Sequence, residues 1–231
     1  TIACACAGII IGSVFVSGLG LKFTQSVIDL SGGVLFILLC LTAVSAIILG
    51  MGMTTTAVYI TVAALIVPSL IESGIMPIAA HMFAFYFGVV STITPPVALA
   101  SFAGAAIAKS PPMATAVESS KVGIAKYIVP FAFVYNPSLL MEGPIIWSIY
   151  SLISVLFAYW SMTLGLEGWF NGKLNVFKRI LAILSSVTLL VPPLQNIYGI
   201  DGIYFNFLGI FILMIIYHLQ GKLNFNMKVT S

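Results

Sequence analysis

Long apolar runs separated by short polar connectors make up this chain, and two of the runs are too long for a single crossing. Residues 78–108 contain no Asp, Glu, Lys or Arg. As one straight helix they would extend roughly 46 Å, against a bilayer hydrocarbon core of about 30 Å. Residues 34–71 are also free of charge and longer still. Each run carries a polar interruption near its middle. The first is Gly50-Met51-Gly52-Met53-Thr54-Thr55-Thr56, the second Ser91-Thr92-Ile93-Thr94-Pro95-Pro96. The remaining apolar stretches, 2–21, 127–141, 145–166, 180–194 and 203–219, are of ordinary length or shorter.

Backbone chemistry says what the interruptions do. Pro95 and Pro96 have no N–H, so in a continuous helix the carbonyls of Ser91 and Thr92 would lose their partners. Thr94 and Pro95 each precede a proline and are pushed out of the α region. The expected result is two arms, 82–93 and 95–108, with Thr94 as N-cap and Pro95 in the first helical position. In the earlier run Gly50 and Gly52 weaken the helix, and the three threonines set hydroxyls on several of its faces. Within a bilayer an opened backbone is tolerated only where protein or a polar cavity satisfies it. Carbonyl and hydroxyl oxygens suit a hard cation such as sodium, and a helix N-terminus suits a carboxylate. The pattern therefore predicts an all-α, polytopic membrane protein, with a broken transmembrane helix over 34–67 and a re-entrant helical hairpin over 78–108, as in secondary transporters.

Composition agrees with the pattern. The chain is 61% hydrophobic and 6% charged, with a mean hydropathy of +1.17, too apolar for a soluble fold of this length. The net charge of +3 comes from dispersed cations, which excludes a nucleic-acid patch. Cys4, Cys6 and Cys40 lie in apolar runs without metal-ligand spacing and read as small buried hydrophobes; no cofactor is expected. An intramembrane enzyme would need a nucleophile with a base or an acidic pair. The histidines are His81 and His218, every Asp or Glu sits near a segment end, and no Gly-x-Ser-x-Gly occurs. His81 reads as an interfacial residue. The chain begins on Thr1 and is apolar from Ile2 with no cationic region before it. It is therefore expected to be the carboxy-terminal part of a longer protein rather than to open on a signal peptide. If 127–141 crosses the membrane, Lys109, Lys121, Lys126, Lys173, Lys178, Arg179, Lys222 and Lys228 share one side, cytoplasmic by the positive-inside rule. If 127–141 is re-entrant, the first three change sides.

Several of these segments resemble a known family. Residues 50–59 (GMGMTTTAVY), Ala80-His81-Met82-Phe83, Phe85-Tyr86-Phe87-Gly88 and Ile93-Thr94-Pro95-Pro96-Val97-Ala98-Leu99-Ala100 look like the large membrane subunit of tripartite ATP-independent periplasmic (TRAP) transporters. Ile128-Val129-Pro130-Phe131 and Phe133-Val134-Tyr135-Asn136-Pro137 are similar to the fused permeases of its TAXI subfamily. The similarity is clear over about residues 1–140 and weak over 145–220. It implies a sodium-driven elevator in the bacterial inner membrane. Such a permease imports small organic anions, dicarboxylates or glutamate among them, with a periplasmic binding protein and a small-subunit-like membrane region fused upstream. It also implies that residues 1–141 are the carboxy-terminal half of the transport domain and 142–231 an accessory membrane region.

Carried onto this chain, the resemblance makes 91–96 the second-repeat hairpin tip and 50–56 its partner break. Thr54, Thr55, Thr94, Pro95, Pro96 and Asn136 are then expected to meet substrate. Gly50, Gly52, Thr56, Ser91, Thr92 and Thr94 are expected to hold sodium. The family architecture implies a second hairpin that opens outward, whereas the cation count with 127–141 crossing points inward. The competing readings are a permease of another secondary or ATP-driven transporter, and a structural membrane subunit without a transport site.

Overall fold

The computed structural model describes residues 5, 8, 9, 12, 13, 16–170, 172–197 and 199–229. Cys4, Cys6 and much of the apolar stretch 2–21 lie outside them. The described residues are almost entirely helical, and the chain divides into two compact units, 1–134 and 135–231.

The first unit holds α1 (Leu19–Ser31), α2 (Leu35–Gly50), α3 (Thr55–Leu65), α4 (Val67–Glu72), α5 (Pro77–Val90), α6 (Leu99–Ala108), α7 (Pro112–Val122) and α8 (Ala125–Tyr135). Both interruptions stop their helices. α2 ends at Gly50, Gly52 takes a left-handed φ of 77°, and α3 starts after Thr54 in extended conformation. α5 ends at Val90 and α6 begins only at Leu99.

The packing around α5 differs from the expected hairpin. α5 lies against both α2 and α3, which also meet each other, whereas α5 and α6 do not pack along one another. α6 packs on α7 instead. The reason lies in side chains: Ser101 and Ala105 form the buried face of α6, and Ser101 Oγ hydrogen-bonds Ser119 Oγ of α7. Small residues on both sides bring these two helices together. The expected arm boundary is also corrected. Thr94 does not cap a helix and Pro95 is not its first residue; the N-cap is Ala98. Pro96 pushes Pro95 out of the α region, and α6 starts four residues further on, at Leu99.

The core of this unit is aromatic where α5 meets α8. Phe131 packs its ring against Phe36, Phe83 and Phe87, with centroids 5.9, 5.4 and 5.8 Å away. Tyr59 Oη and His81 Nδ1 are hydrogen-bonded at 3.1 Å, joining α3 to α5, so His81 is a packing residue of the helix pair.

The second unit contains a short 3₁₀ turn (Pro137–Leu140), α9 (Ile145–Glu167), α10 (Val176–Leu190), a hairpin of two-residue strands β1 (Asn196–Ile197) and β2 (Ile200–Asp201), and α11 (Gly202–Val229). α10 packs along both α9 and α11. α9 and residues 202–219 of α11 are long and apolar enough to cross a membrane. Their outer faces expose Ile145, Ile149, Leu152, Leu156, Phe207 and Phe211, a band that water would penalise and lipid would not.

Hydroxyls and glycines set the spacing of this bundle, as in membrane helix pairs generally. Ser154 Oγ donates to the Leu189 carbonyl and Ser161 Oγ to that of Ala182, both at 2.7 Å. Ser185 Oγ donates to the Gly209 carbonyl at 2.8 Å. A Cβ at Gly209 would meet Leu189 Cγ at 2.6 Å, Thr188 Oγ1 at 2.7 Å and the Ser185 carbonyl at 3.1 Å. Gly209→Val is therefore expected to destabilise the bundle by about 1–3 kcal/mol, read as an earlier unfolding midpoint in detergent. The same change at Gly143, where a Cβ meets nothing within 4 Å but φ is 110°, tests backbone strain alone.

Candidate functional site: two helix breaks in contact

The two interruptions, far apart in sequence, touch through a single hydroxyl. Ser91 is fully buried, and its Oγ donates to the carbonyl of Gly50 at 3.0 Å and to that of Gly88. One proton is shared between the last carbonyl of α2 and a carbonyl in the last turn of α5. Gly50 has to be glycine for this approach. A Cβ there would sit 2.5 Å from Ser91 Oγ, 2.9 Å from Ser91 Cβ and 3.0 Å from the Gly88 carbonyl oxygen. Gly88 is constrained in the same way, because a Cβ would lie 2.6 Å from Val58 Cγ1 of α3. Beyond the contact, Gly52 faces Val97, whose Cγ1 is 4.0 Å from the position of a Cβ.

Side chains of the following helices brace the second break. Thr94 Oγ1 donates to the Val90 carbonyl at 2.7 Å and is paired with Tyr127 Oη at 2.6 Å. Ser120 Oγ and Ser119 Oγ both reach the Ile93 carbonyl, at 2.9 and 3.3 Å. Thr92 Oγ1 closes on the Val89 carbonyl at 2.8 Å, and the Thr92 carbonyl accepts the Ala100 N–H at 3.0 Å. With the Leu99 N–H bonded to the Val97 carbonyl at 3.2 Å, two backbone donors at the start of α6 are already used. Ser119, Ser120 and Tyr127 are absent from the residues read off the sequence. Their signal in the sequence is a serine pair in the polar connector before the apolar stretch 127–141 and the tyrosine that opens that stretch.

The first break is left open. Thr54, Thr55 and Thr56 are exposed at the N-terminus of α3, and among the described residues their hydroxyls make no hydrogen bond. The carbonyls of Met51, Gly52 and Met53 on this side, and of Pro95 and Pro96 on the other, also accept none among the described residues. The arrangement concentrates oxygen ligands and carries no carboxylate, thiol or imidazole. Among the described residues no group of His, Cys, Asp or Glu is placed to hold a metal, so any ion held here would be one that accepts neutral oxygens. Asn136 belongs to the second unit. It is buried there, and its carbonyl accepts the Leu139 N–H at the head of the 3₁₀ turn.

The family model of the tripartite ATP-independent periplasmic transporter, DctM component, matches residues 1–148. The chain belongs to this family. DctM is the membrane permease of a secondary transporter, not an enzyme, and works with a periplasmic binding protein and a small membrane subunit. The DctM match takes in the first unit and both breaks, and ends just inside α9. No curated protein and no solved structure matches the chain.

Proposed function

We propose that this DctM chain is the carboxy-terminal part of a sodium-coupled TAXI-type permease that imports small organic anions by an elevator motion. In this reading residues 1–141 form half of the transport domain, and 142–231 are an accessory membrane region. The remaining half, with a small-subunit-like region, lies upstream. The observation that supports a transport site is the Ser91–Gly50 bridge, which brings two oxygen-rich helix breaks to one place. Sodium takes the open carbonyls and the hydroxyls of Thr54–Thr56, and the N-terminus of α3 faces the substrate carboxylate. A coupled cation draws about 2.3 kcal/mol from each 100 mV of membrane potential.

The packing favours an exchange of roles between the two runs. α2 and α3, which meet each other and flank α5, make the hairpin; α5 and α6, which do not fold back on one another, make the broken crossing helix. Single cysteines at Ser73 and Ser110, in a background lacking native cysteine, are then labelled from opposite faces of sealed vesicles. Labelling from the same face returns the hairpin to 78–108.

Uptake by the full-length protein in proteoliposomes, with its binding protein and a dicarboxylate or glutamate, tests the site. An inward sodium gradient is expected to drive uptake that potassium does not. Thr55→Ala with Thr94→Ala is expected to lower it by about tenfold or more, with a hydrodynamic profile unchanged from wild type. Uptake indifferent to sodium, or to both substitutions, would reject sodium coupling at these breaks.

A further inference from the structure

The second unit contains an apolar groove outside the transport site. It has a volume of about 710 Å³ and is walled by Phe157 and Trp160 of α9 and by Ile210, Leu213, Met214 and Tyr217 of α11. That is within the range of ligand-sized sites. Its walls are mostly hydrocarbon, and the side chains able to hydrogen-bond are Trp160, Tyr217 and His218. His218 lies at the same end as Tyr217.

Net charge divides the two ends of this unit, with three cations against the single carboxylate of Glu167 at one end and two carboxylates at the other. α9 ends at Glu167 and α10 starts at Val176, and their connector and first turn carry Lys173, Lys178 and Arg179. The opposite end carries Glu142 and Asp201. The groove sits at the cationic end, because Phe170 of the connector packs edge-to-face with Trp160 and tilted against Tyr217, with ring centroids 5.9 and 5.8 Å away. Backbone hydrogen bonds tie the described residues of the connector together: Leu174 N–H bonds the Gly168 carbonyl at 2.8 Å and Phe170 N–H that of Gly172 at 2.9 Å. Arg179 is held at this end, its Nε donating to the Gly165 carbonyl at 2.9 Å and its Nη2 to that of Leu166 at 2.6 Å. Lys173 is exposed.

We propose that this groove binds one anionic phospholipid, its acyl chain between α9 and α11 and its phosphate over Lys173 and the start of α10. A hydrocarbon chain asks nothing of apolar walls, and the aromatic rim of Trp160, Phe170 and Tyr217 belongs at headgroup depth. Cations at that rim complement the phosphate, as in basic pockets between membrane helices. The positive-inside rule puts this end in the cytoplasmic leaflet, where anionic lipid is found. This inference stands apart from the transport reading, since it uses no residue of the two breaks.

Trp160 reports on the groove directly. The full-length protein with Trp147→Phe, Trp169→Phe and every tryptophan outside residues 1–231 also changed to Phe retains Trp160 as its tryptophan. Reconstituted in nanodiscs, it is titrated with acyl-brominated phosphatidylglycerol or phosphatidylcholine. Quenching is expected at roughly fivefold lower mole fraction of the anionic lipid. Adding Lys173→Gln with Lys178→Gln is expected to bring the two curves together, while the circular dichroism and the unfolding midpoint stay as in the parent. Equal quenching by both lipids in the parent would make the groove a non-selective boundary surface and overturn the proposal. Absence of quenching by either would mean that protein, such as a second copy of this chain, fills it, and would overturn it equally. A preference that survives removal of both lysines would refute the assigned headgroup contact.

Discussion

Gly50→Ala is expected to abolish uptake while leaving the protein inserted and folded. The added methyl would lie 2.5 Å from Ser91 Oγ and 3.0 Å from the Gly88 carbonyl oxygen, so the two breaks must part by roughly half an ångström or more. Ser91 is buried and braced within its own helix end, so it has no rotamer that both clears the methyl and keeps the bridge to Gly50. Misplacement on this scale costs about a hundredfold where a site depends on preset geometry. Overpacking itself costs about 1–3 kcal/mol, less than the stability of a folded domain. Gly104→Ala is the control, since a Cβ on that helix meets nothing within 4 Å. Sodium-driven uptake compared at matched insertion levels decides the matter. If Gly50→Ala transports like Gly104→Ala, the contact between the breaks has no part in transport.

The second large effect is a coupling between α3 and α5. A Cβ at Gly88 would meet Val58 Cγ1 at 2.6 Å and Val58 Cβ at 3.8 Å. Val58 is itself buried, at 1% exposure, and cannot move aside freely. Gly88→Ala is therefore expected to destabilise by about 1–3 kcal/mol, and Val58→Ala by about 2 kcal/mol through the cavity it leaves. In the double variant the new methyl enters the space of the removed ones. The combined loss is expected to be smaller than the larger single loss, an interaction of about 1 kcal/mol or more. Thermal unfolding of the four proteins in one detergent measures it. Additive losses would mean that α3 and α5 do not meet at these residues.

Both predictions turn on what was and was not legible in one dimension. The helix stops were legible because they depend on local chemistry: an imide nitrogen without a proton at Pro95 and Pro96, and a left-handed backbone at Gly52 that other residues rarely adopt. The exact start of α6 lies four residues beyond the expected one, since Thr94 and Pro95 matched the preferences of a cap and a first helical position. The restriction that Pro96 imposes on Pro95 outweighed them. Thr94 turned to the Val90 carbonyl and Tyr127 instead.

Apolar runs, uncharged over lengths that exceed one crossing, determined by themselves that this chain belongs in a membrane and that its helices break within 50–56 and 91–96. Those are consequences of hydration and backbone stereochemistry, which act residue by residue. Tertiary structure alone decided that the two breaks meet, that α5 lies between α2 and α3, and that α6 turns to α7. Those outcomes depend on which small residues face one another: Gly50 against Ser91, Gly88 against Val58, Ser101 against Ser119. Lipid is as apolar as leucine, so helices in a bilayer choose partners by close approach and by hydroxyl-to-carbonyl bonds rather than by hydrophobicity. That choice leaves almost no trace in a hydropathy pattern.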